Sequence, residues 1–305
     1  MDAAIEVRGL FRHFGPVPAV DGIDLTVPCG SVYGFLGPNG SGKTTTIRLM
    51  LGLIRPERGS IKLFGGVPGS ADCLAQVGAV VEQPAFYPYL SAHENLRLFA
   101  TLAGMPSSTG AAAADRALDV VGLSSVAGRK VDGFSTGMRQ RLAMALGLLR
   151  DPTLVILDEP TNGLDPGGVV EVRGLIAELA RNGKTVFLST HVLTEVEQLC
   201  DRVAVLQRGR LVADGVVREL LERGQRLAVA FDTAEQSEQA ARVLDEAGLA
   251  TERVGDRANT LMVNFEPRSS SDINRLLAGQ SLYPAELVVR RASLESVFLD
   301  LTEGV

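Results

Sequence analysis

The stretch GPNGSGKTT, from Gly37 to Thr45, fits the pattern G-x-x-x-x-G-K-[ST] at Gly37, Gly42, Lys43 and Thr44. Glycines at these spacings let backbone N–H groups close around phosphate oxygens. Lys43 would neutralise β- and γ-phosphate charge, and the Thr44 hydroxyl would reach a Mg²⁺ ion. The whole run of Gly37, Pro38, Asn39, Gly40, Ser41, Gly42, Lys43, Thr44 and Thr45 is therefore the candidate nucleotide cradle. A helix starting near Gly42 would turn the positive end of its dipole to the same phosphates. A plain Gly-rich turn is the competing reading, and the flanks argue against it. SVYGFL (Ser31 to Leu36) reads as a strand before the loop, and TTIRLMLGL (Thr45 to Leu53) as a helix after it. Strand, loop and helix is the context the motif requires.

Much later, Leu154 to Pro160 read LVILDEP. Four apolar residues followed by Asp158 and Glu159 look like a buried strand delivering two carboxylates at its end. Asp158 would support Mg²⁺, and Glu159 would act as general base on an attacking water. The competing reading is a strand-end acidic pair that caps a helix or makes a surface salt bridge.

Composition sets wider bounds. A chain of 305 residues has room for one large domain and a small one, or for two medium domains. With 46% hydrophobic and 22% charged residues it reads as a soluble globular protein, and with no Trp its cores must be largely aliphatic. A net charge of −6 argues against broad nucleic-acid binding. No apolar run approaches the ~18 residues of a spanning helix. The richest, LAMALGLL (Leu142 to Leu149), lies between Arg141 and Arg150 and reads as a buried helix. The N-terminal stretch, with Asp2 and Glu6, has no signal-peptide core, so a cytoplasmic location is expected. Cys29, Cys73 and Cys200 have no metal-like spacing and read as reduced thiols.

Along the chain, AIEVRGLFRHF, AVDGIDLTV and SVYGFL alternate like strands, suggesting a small antiparallel sheet leading into the loop. SIKLFG and VGAVVEQ are further strands. A helical stretch occupies about residues 84–150, and strands and helices then alternate through LVILDE, GVVEVRGLIAELARNG, TVFLST, VLTEVEQLC and RVAVLQ. Residues 223–305 read as a separate small α/β module: strand LAVAFD, helix EQAARVLDEAG, strand LMVNF, helix SDINRLLAG, strand ELVVRR and helix SLESVFLDLT, with Glu266 to Asp272 as a loop. The expected domains are thus residues 1–222 and 223–305.

Five further motifs follow the order of one family, and over roughly residues 4–220 the chain resembles the ATP-binding subunits of ABC transporters. Gln83, in VVEQPAFYPYL, matches the glutamine that reaches Mg²⁺ and the attacking water while sensing the membrane partner. FSTGMRQR (Phe134 to Arg141) sits where the family usually has LSGGQ; Ser135 and Gly137 match, while Phe134, Thr136 and Met138 depart from it. TNGLDP holds the matching D-loop aspartate, Asp165. STHVLTEVE places His191 at a strand end, where the family keeps a histidine that contacts the γ-phosphate. Phe14, in HFG, fits the aromatic that stacks on adenine, though a core role competes. STG alone is a helix cap; within the resemblance, Ser135 and Gly137 complete the other subunit's site. His13 and His93 have no such context and read as surface or packing residues.

The resemblance implies an α/β fold, a P-loop NTPase of ABC type with a mixed sheet core, a small antiparallel β subdomain and a helical subdomain; the small C-terminal α/β accessory domain is read from the residue pattern alone. It implies ATP and Mg²⁺ as ligands, with Thr44, Gln83 and Asp158 toward the metal. Catalysis falls to Glu159, His191, Lys43, Gln83, Ser135, Gly137 and Asp165. The expected assembly is a head-to-tail homodimer with two shared ATP sites, held on the inner face of the membrane by a separately encoded transmembrane permease. Phe86, Tyr87, Tyr89 and Phe99 would form a small core or a groove for a helix of that permease. The wording around Gln83 and the C-terminal SLESVFLDLTEG looks most like bacterial exporters of drugs, lipids or polysaccharides. A soluble ABC-type ATPase, or a nucleotide-gated regulator uncoupled from transport, is the rival reading; the acidic net charge gives a nucleic-acid partner little help.

Overall fold

Alternating burial makes AAIEVRGLFRHF and VPAVDGIDLTVP an antiparallel pair, β1 (Ala3–Phe14) and β2 (Val17–Pro28), with Ile5, Val7 and Leu10 buried and Arg8 exposed. β3 (Val32–Leu36) does not join them, contrary to the sequence-based expectation. All five of its residues are buried, so it needs cover on both faces, and it lies inside a second, larger sheet. The phosphate-loop segment leads to α1 (Lys43–Met50) and then to β4 (Arg58–Leu63), whose largely exposed residues suit the edge of the first sheet, of order β2-β1-β4.

The structure is a computed structural model that describes residues 2–82, 84–223, 225–253, 259–265, 268–290 and 294. It divides into two compact units, Met1–Val217 and Arg218–Val305.

In the first unit, α2 (Ala71–Gln76) and β5 (Val77–Val80) precede a helical stretch of α3 (Ala92–Leu102), α4 (Ser107–Val120) and α5 (Thr136–Leu148). α3 starts with a capping box, Ser91 accepting from the Glu94 N–H while Glu94 reaches back to the Ser91 N–H. α5 starts on Ser135, which accepts from the Met138 N–H. β6 (Leu154–Asp158) is buried except at Asp158. α6 (Pro166–Arg181) is capped by Asp165 with proline at its first position, and β7 (Thr185–Thr190) is buried throughout. α7 (Leu193–Leu199), β8 (Arg202–Gln207) and β9 (Arg210–Val216) complete the unit.

The larger sheet has the order β5-β6-β7-β3-β8-β9. Its first five strands run parallel and β9 pairs antiparallel with β8. Both sheets share one core, in which Phe187 stacks on Tyr33 at 5.9 Å between ring centroids.

α8 (Val217–Arg223) begins at the division between the units. The second unit runs β10 (Arg226–Ala230), α9 (Ala234–Glu246), β11 (Thr251–Arg253), β12 (Thr260–Val263), α10 (Ser270–Ala278) and β13 (Glu286–Arg290). Its antiparallel sheet, ordered β11-β12-β10-β13, has the βαββαβ connectivity of ferredoxin-like folds. Alternate residues Leu227, Val229, Leu261 and Val263 face Ala240 and Leu244 of α9 and Ile273 and Leu277 of α10. Two local expectations fail here. The three-residue β11 was not foreseen, and the polar run around Ser269 is not all loop, because Ser269 and Asp272 form a capping box that starts α10. Of the expected helix SLESVFLDLT only Leu294 lies among the described residues.

Candidate active site

Strand order brings the candidate residues together. β6, β7 and β3 are consecutive in the sheet, with Asp158 opposite Ser189 and Leu36 opposite Thr190. The loop after β3, the carboxylates after β6 and the histidine after β7 therefore emerge at neighbouring carboxyl ends, where parallel sheets bind ligands.

The phosphate loop is folded tightly against its own unit. Gly42 has φ 109°, and a Cβ there would stand 2.1 Å from the Ala19 carbonyl oxygen, so no other residue fits. Lys43 is buried, and its ammonium donates to the Gly37 carbonyl at 2.7 Å and the Pro38 carbonyl at 3.3 Å. Ser41 is also buried, and its hydroxyl has no partner among the described residues. An unpaired buried hydroxyl costs about 1–3 kcal/mol, which a phosphate oxygen would relieve. The loop chemistry thus fits an anionic polyphosphate.

Glu159 links the three strand ends. Its carboxylate lies 3.0 Å from the Lys43 ammonium and 2.6 Å from His191 Nδ1. Its backbone has φ 51°, a left-handed conformation rare for glutamate. The Glu159 N–H donates to the Ser189 carbonyl at 3.2 Å and to the Ser189 hydroxyl at 3.0 Å, and this holds the turn. That hydroxyl in turn donates to Asp158, fixing the second carboxylate. The acidic pair is neither a helix cap nor a surface salt bridge.

A polar buttress lies behind His191. The Thr190 hydroxyl donates to Glu195 at 2.8 Å and accepts from the Val192 N–H at 3.1 Å. Glu195 is buried, and its other oxygen lies 3.7 Å from Arg173, which also donates to Gln198 at 2.6 Å. Thr44, Gln140, Asp158, Glu159 and Asn162 line an open cleft of about 250 Å³. Two hard oxygen donors, the Thr44 hydroxyl and the Asp158 carboxylate, on one cleft suit Mg²⁺.

The remaining candidates lie elsewhere or serve locally within this chain. Ser135 and Asp165 act as helix caps, and neither hydrogen-bonds the phosphate loop among the described residues. Gly137 packs towards Gly168 at the start of α6. Phe14 is half exposed at the end of β1, with the Arg12 guanidinium 5.1 Å above its ring. Gln83 lies outside the described residues. The aromatic cluster splits in two: Phe86 and Phe99 meet edge to face at 6.0 Å, while the Tyr87–Tyr89 pair is exposed. His13 pairs with Glu57 at 2.8 Å and His93 with Asp115 at 3.2 Å. All three cysteines are free thiols.

Four residues escaped the sequence reading: Gln140, Asn162, Ser189 and Glu195. Ser189 and Glu195 lie inside a quoted motif, STHVLTEVE, and Gln140 inside FSTGMRQR. Glu195 stands in the first turn of α7, where an acidic residue is ordinary, so nothing in the sequence sets it apart.

The sequence profile described as ABC transporter matches residues 20–162. The chain is 36% identical over 307 residues to the bacitracin transport ATP-binding protein BcrA of Enterococcus faecalis, spanning 100% of this chain and 98% of that protein. It is 35% identical over 305 residues to a daunorubicin resistance ATP-binding protein of Streptomyces coeruleorubidus, spanning 99% of this chain and 96% of that one. Among solved structures it resembles cbiO1 of Clostridium perfringens, described as part of the ABC transporter complex cbiONQ, with a TM-score of 0.66 at 26% identity, covering 81% of this chain and 97% of that one.

Proposed function

This chain belongs to the ABC transporter family as one of its ATP-binding, ATP-hydrolysing subunits, and from that membership we propose how it works. Two copies meet head to tail. Each phosphate loop holds one ATP, which Ser135 and Gly137 of the other copy close over. Closure drives a separately encoded permease, on whose inner-membrane face the subunit sits. Among the described residues no helix is long and apolar enough to cross a membrane. The full-length similarity to ATP-binding proteins named for bacitracin transport and daunorubicin resistance supports export of a drug-like substrate.

The observation that carries this reading is the array Lys43–Glu159–His191 at adjoining strand ends. In the conformation described, Glu159 occupies Lys43 with its negative charge. Triphosphate oxygens compete for the same ammonium, so nucleotide entry frees Glu159 to orient and deprotonate an attacking water. His191 is placed to hydrogen-bond the transferring γ-phosphate, and the Phe14 ring offers a platform for the base. Mg²⁺, held by Thr44 and Asp158 with Gln83, would neutralise charge on the phosphates. ATP biases the permease only as far as it binds the closed dimer more tightly than the open subunits.

The test is MgATP-dependent dimerisation, read by size exclusion with light scattering. Glu159→Gln keeps the shape and removes the base, so it should accumulate as a closed dimer with MgATP. Adding Ser135→Arg should abolish that dimer. A Glu159→Gln protein that binds ATP and stays monomeric would count against the shared-site mechanism.

A further inference from the structure

Gln140 is more than nine-tenths buried, yet it lines the cleft that also holds Thr44, Asp158 and Glu159. Among the described residues its side-chain amide makes no hydrogen bond. The amide is not sealed away but opens onto the cleft, so a group that fills the cleft can meet it. An amide suits that place. It is neutral, so it adds no repulsion to the Glu82, Asp158 and Glu159 carboxylates that line the same cleft. It can donate to a phosphate oxygen and accept from a metal-bound water at once. Gln140 also sits on α5, the helix capped by Ser135. Residues three and four apart share a helix face, so Gln140 projects from the same side as Thr136 and Gly137, one turn further on.

We infer that Gln140 hydrogen-bonds the hydrated Mg²⁺–γ-phosphate end of the ATP bound to its own subunit. It thereby ties the occupancy of that site to the setting of Ser135 and Gly137 on the same helix. One rigid helix then reads two nucleotides, its own through Gln140 and the partner copy's through its N-terminal end. This rests on the shared-site reading above and adds to it a route by which the two ATPs are coupled. Coupling of this kind is reciprocal, so each ATP strengthens the hold on the other.

The experiment uses the full chain with Gln140→Met and Gln140→Ala, each alone and combined with Glu159→Gln. Thermal unfolding establishes which variants fold, and two replacements of different bulk guard against a packing failure. Affinity for ATP with EDTA should stay within about twofold of the parent. Affinity for MgATP should fall about three- to tenfold, the worth of one lost hydrogen bond. The MgATP concentration needed to dimerise the Glu159→Gln background should rise by at least as much. Equal weakening with and without Mg²⁺ would overturn the contact, because a general packing defect does not distinguish the two. An unchanged dimerisation midpoint alongside weakened MgATP binding would overturn the coupling. If Glu159→Gln alone fails to dimerise, the shared-site reading falls instead, while the Mg²⁺-dependent affinity still decides the contact.

Discussion

The group that sets His191 in place is a carboxylate outside the lining of the cleft that holds Thr44, Asp158 and Glu159. Glu195 is buried and accepts the Thr190 hydroxyl on one oxygen while Arg173 approaches the other. Thr190 is the last residue of β7, so its side chain fixes the peptide from which His191 departs. Glu195→Ala leaves the Thr190 hydroxyl and the Arg173 guanidinium without their partner. Breaking a buried pair from one side costs about 3–5 kcal/mol, so a clear drop in unfolding temperature is expected. The drop should come with a fall in kcat at unchanged KM for ATP, since the phosphate loop is untouched. Glu195→Gln, which can still accept from Thr190, should recover most of the kcat but less of the stability. His191→Ala sets the scale for the lost function, about 10²-fold or more in kcat if His191 moves or holds a proton in the transition state. Steady-state kinetics with thermal unfolding on all three variants separates positioning from folding. Glu195 is legible in the sequence only as an acidic residue in the first turn of a short helix. Its burial is not, because a Glu on a short helix next to a strand-end histidine is normally solvated, and only the packing of α6 against α7 brings Arg173 to it.

At the scale of elements, the strands that deliver the candidate residues were legible because they are written in local patterns. The run VYGFL before the loop, LVIL before Asp158 and VFL within the strand before His191 are apolar stretches, and such stretches become interior parallel strands. Where these strands sit relative to one another was not legible. β3 was grouped with β1 and β2 by proximity in sequence, whereas the order β6-β7-β3 depends on crossovers that no local pattern encodes. The cap of α10 is less legible than that of α5. The run around Ser269 reads as loop by composition, and its Ser-x-x-Asp spacing is what starts α10. The same device on α3 gives a measurable consequence. The Glu94 carboxyl is held below the usual carboxylate range, first by the Ser91 backbone N–H and then by the Ser91 hydroxyl. A carboxyl with a lowered folded pKa contributes stability that is full above its unfolded value and lost as pH falls through the folded one. Ser91→Ala removes the hydroxyl and should cost about 1 kcal/mol near neutrality. The gap between variant and parent should narrow as pH drops below about 4. Denaturant unfolding at pH 7 and about pH 3 measures this; a gap that is unchanged or wider at low pH would rule out the carboxylate's share in the cap.

For the whole molecule, the decisive fact is that each unit owns a core. Tyr33, Phe35, Ile156 and Phe187 anchor the first, while Leu227, Leu244, Leu261 and Ile273 anchor the second. No residue of the nucleotide site belongs to the second core, and the ferredoxin-like sheet of that unit closes its apolar face with its own two helices. Stability and ligand response should therefore be separable. Leu244 is fully buried, and replacing it with Ala removes packing worth about 2–5 kcal/mol from the second core alone. Differential scanning calorimetry of the full chain should resolve two transitions. MgATP should raise one of them by mass action, because it binds the folded first unit and not the unfolded chain. Leu244→Ala should lower the other and leave the nucleotide-responsive transition where it was. ATP affinity of Leu244→Ala at a temperature below both transitions should equal that of the parent. If the substitution instead lowers the nucleotide-responsive transition by the same amount, the units unfold as one cooperative body, and the second contributes directly to the stability of the ATP site. That outcome would move residues 218–305 from an appended module to a structural part of the ATPase, and it would predict weaker ATP binding when they are removed.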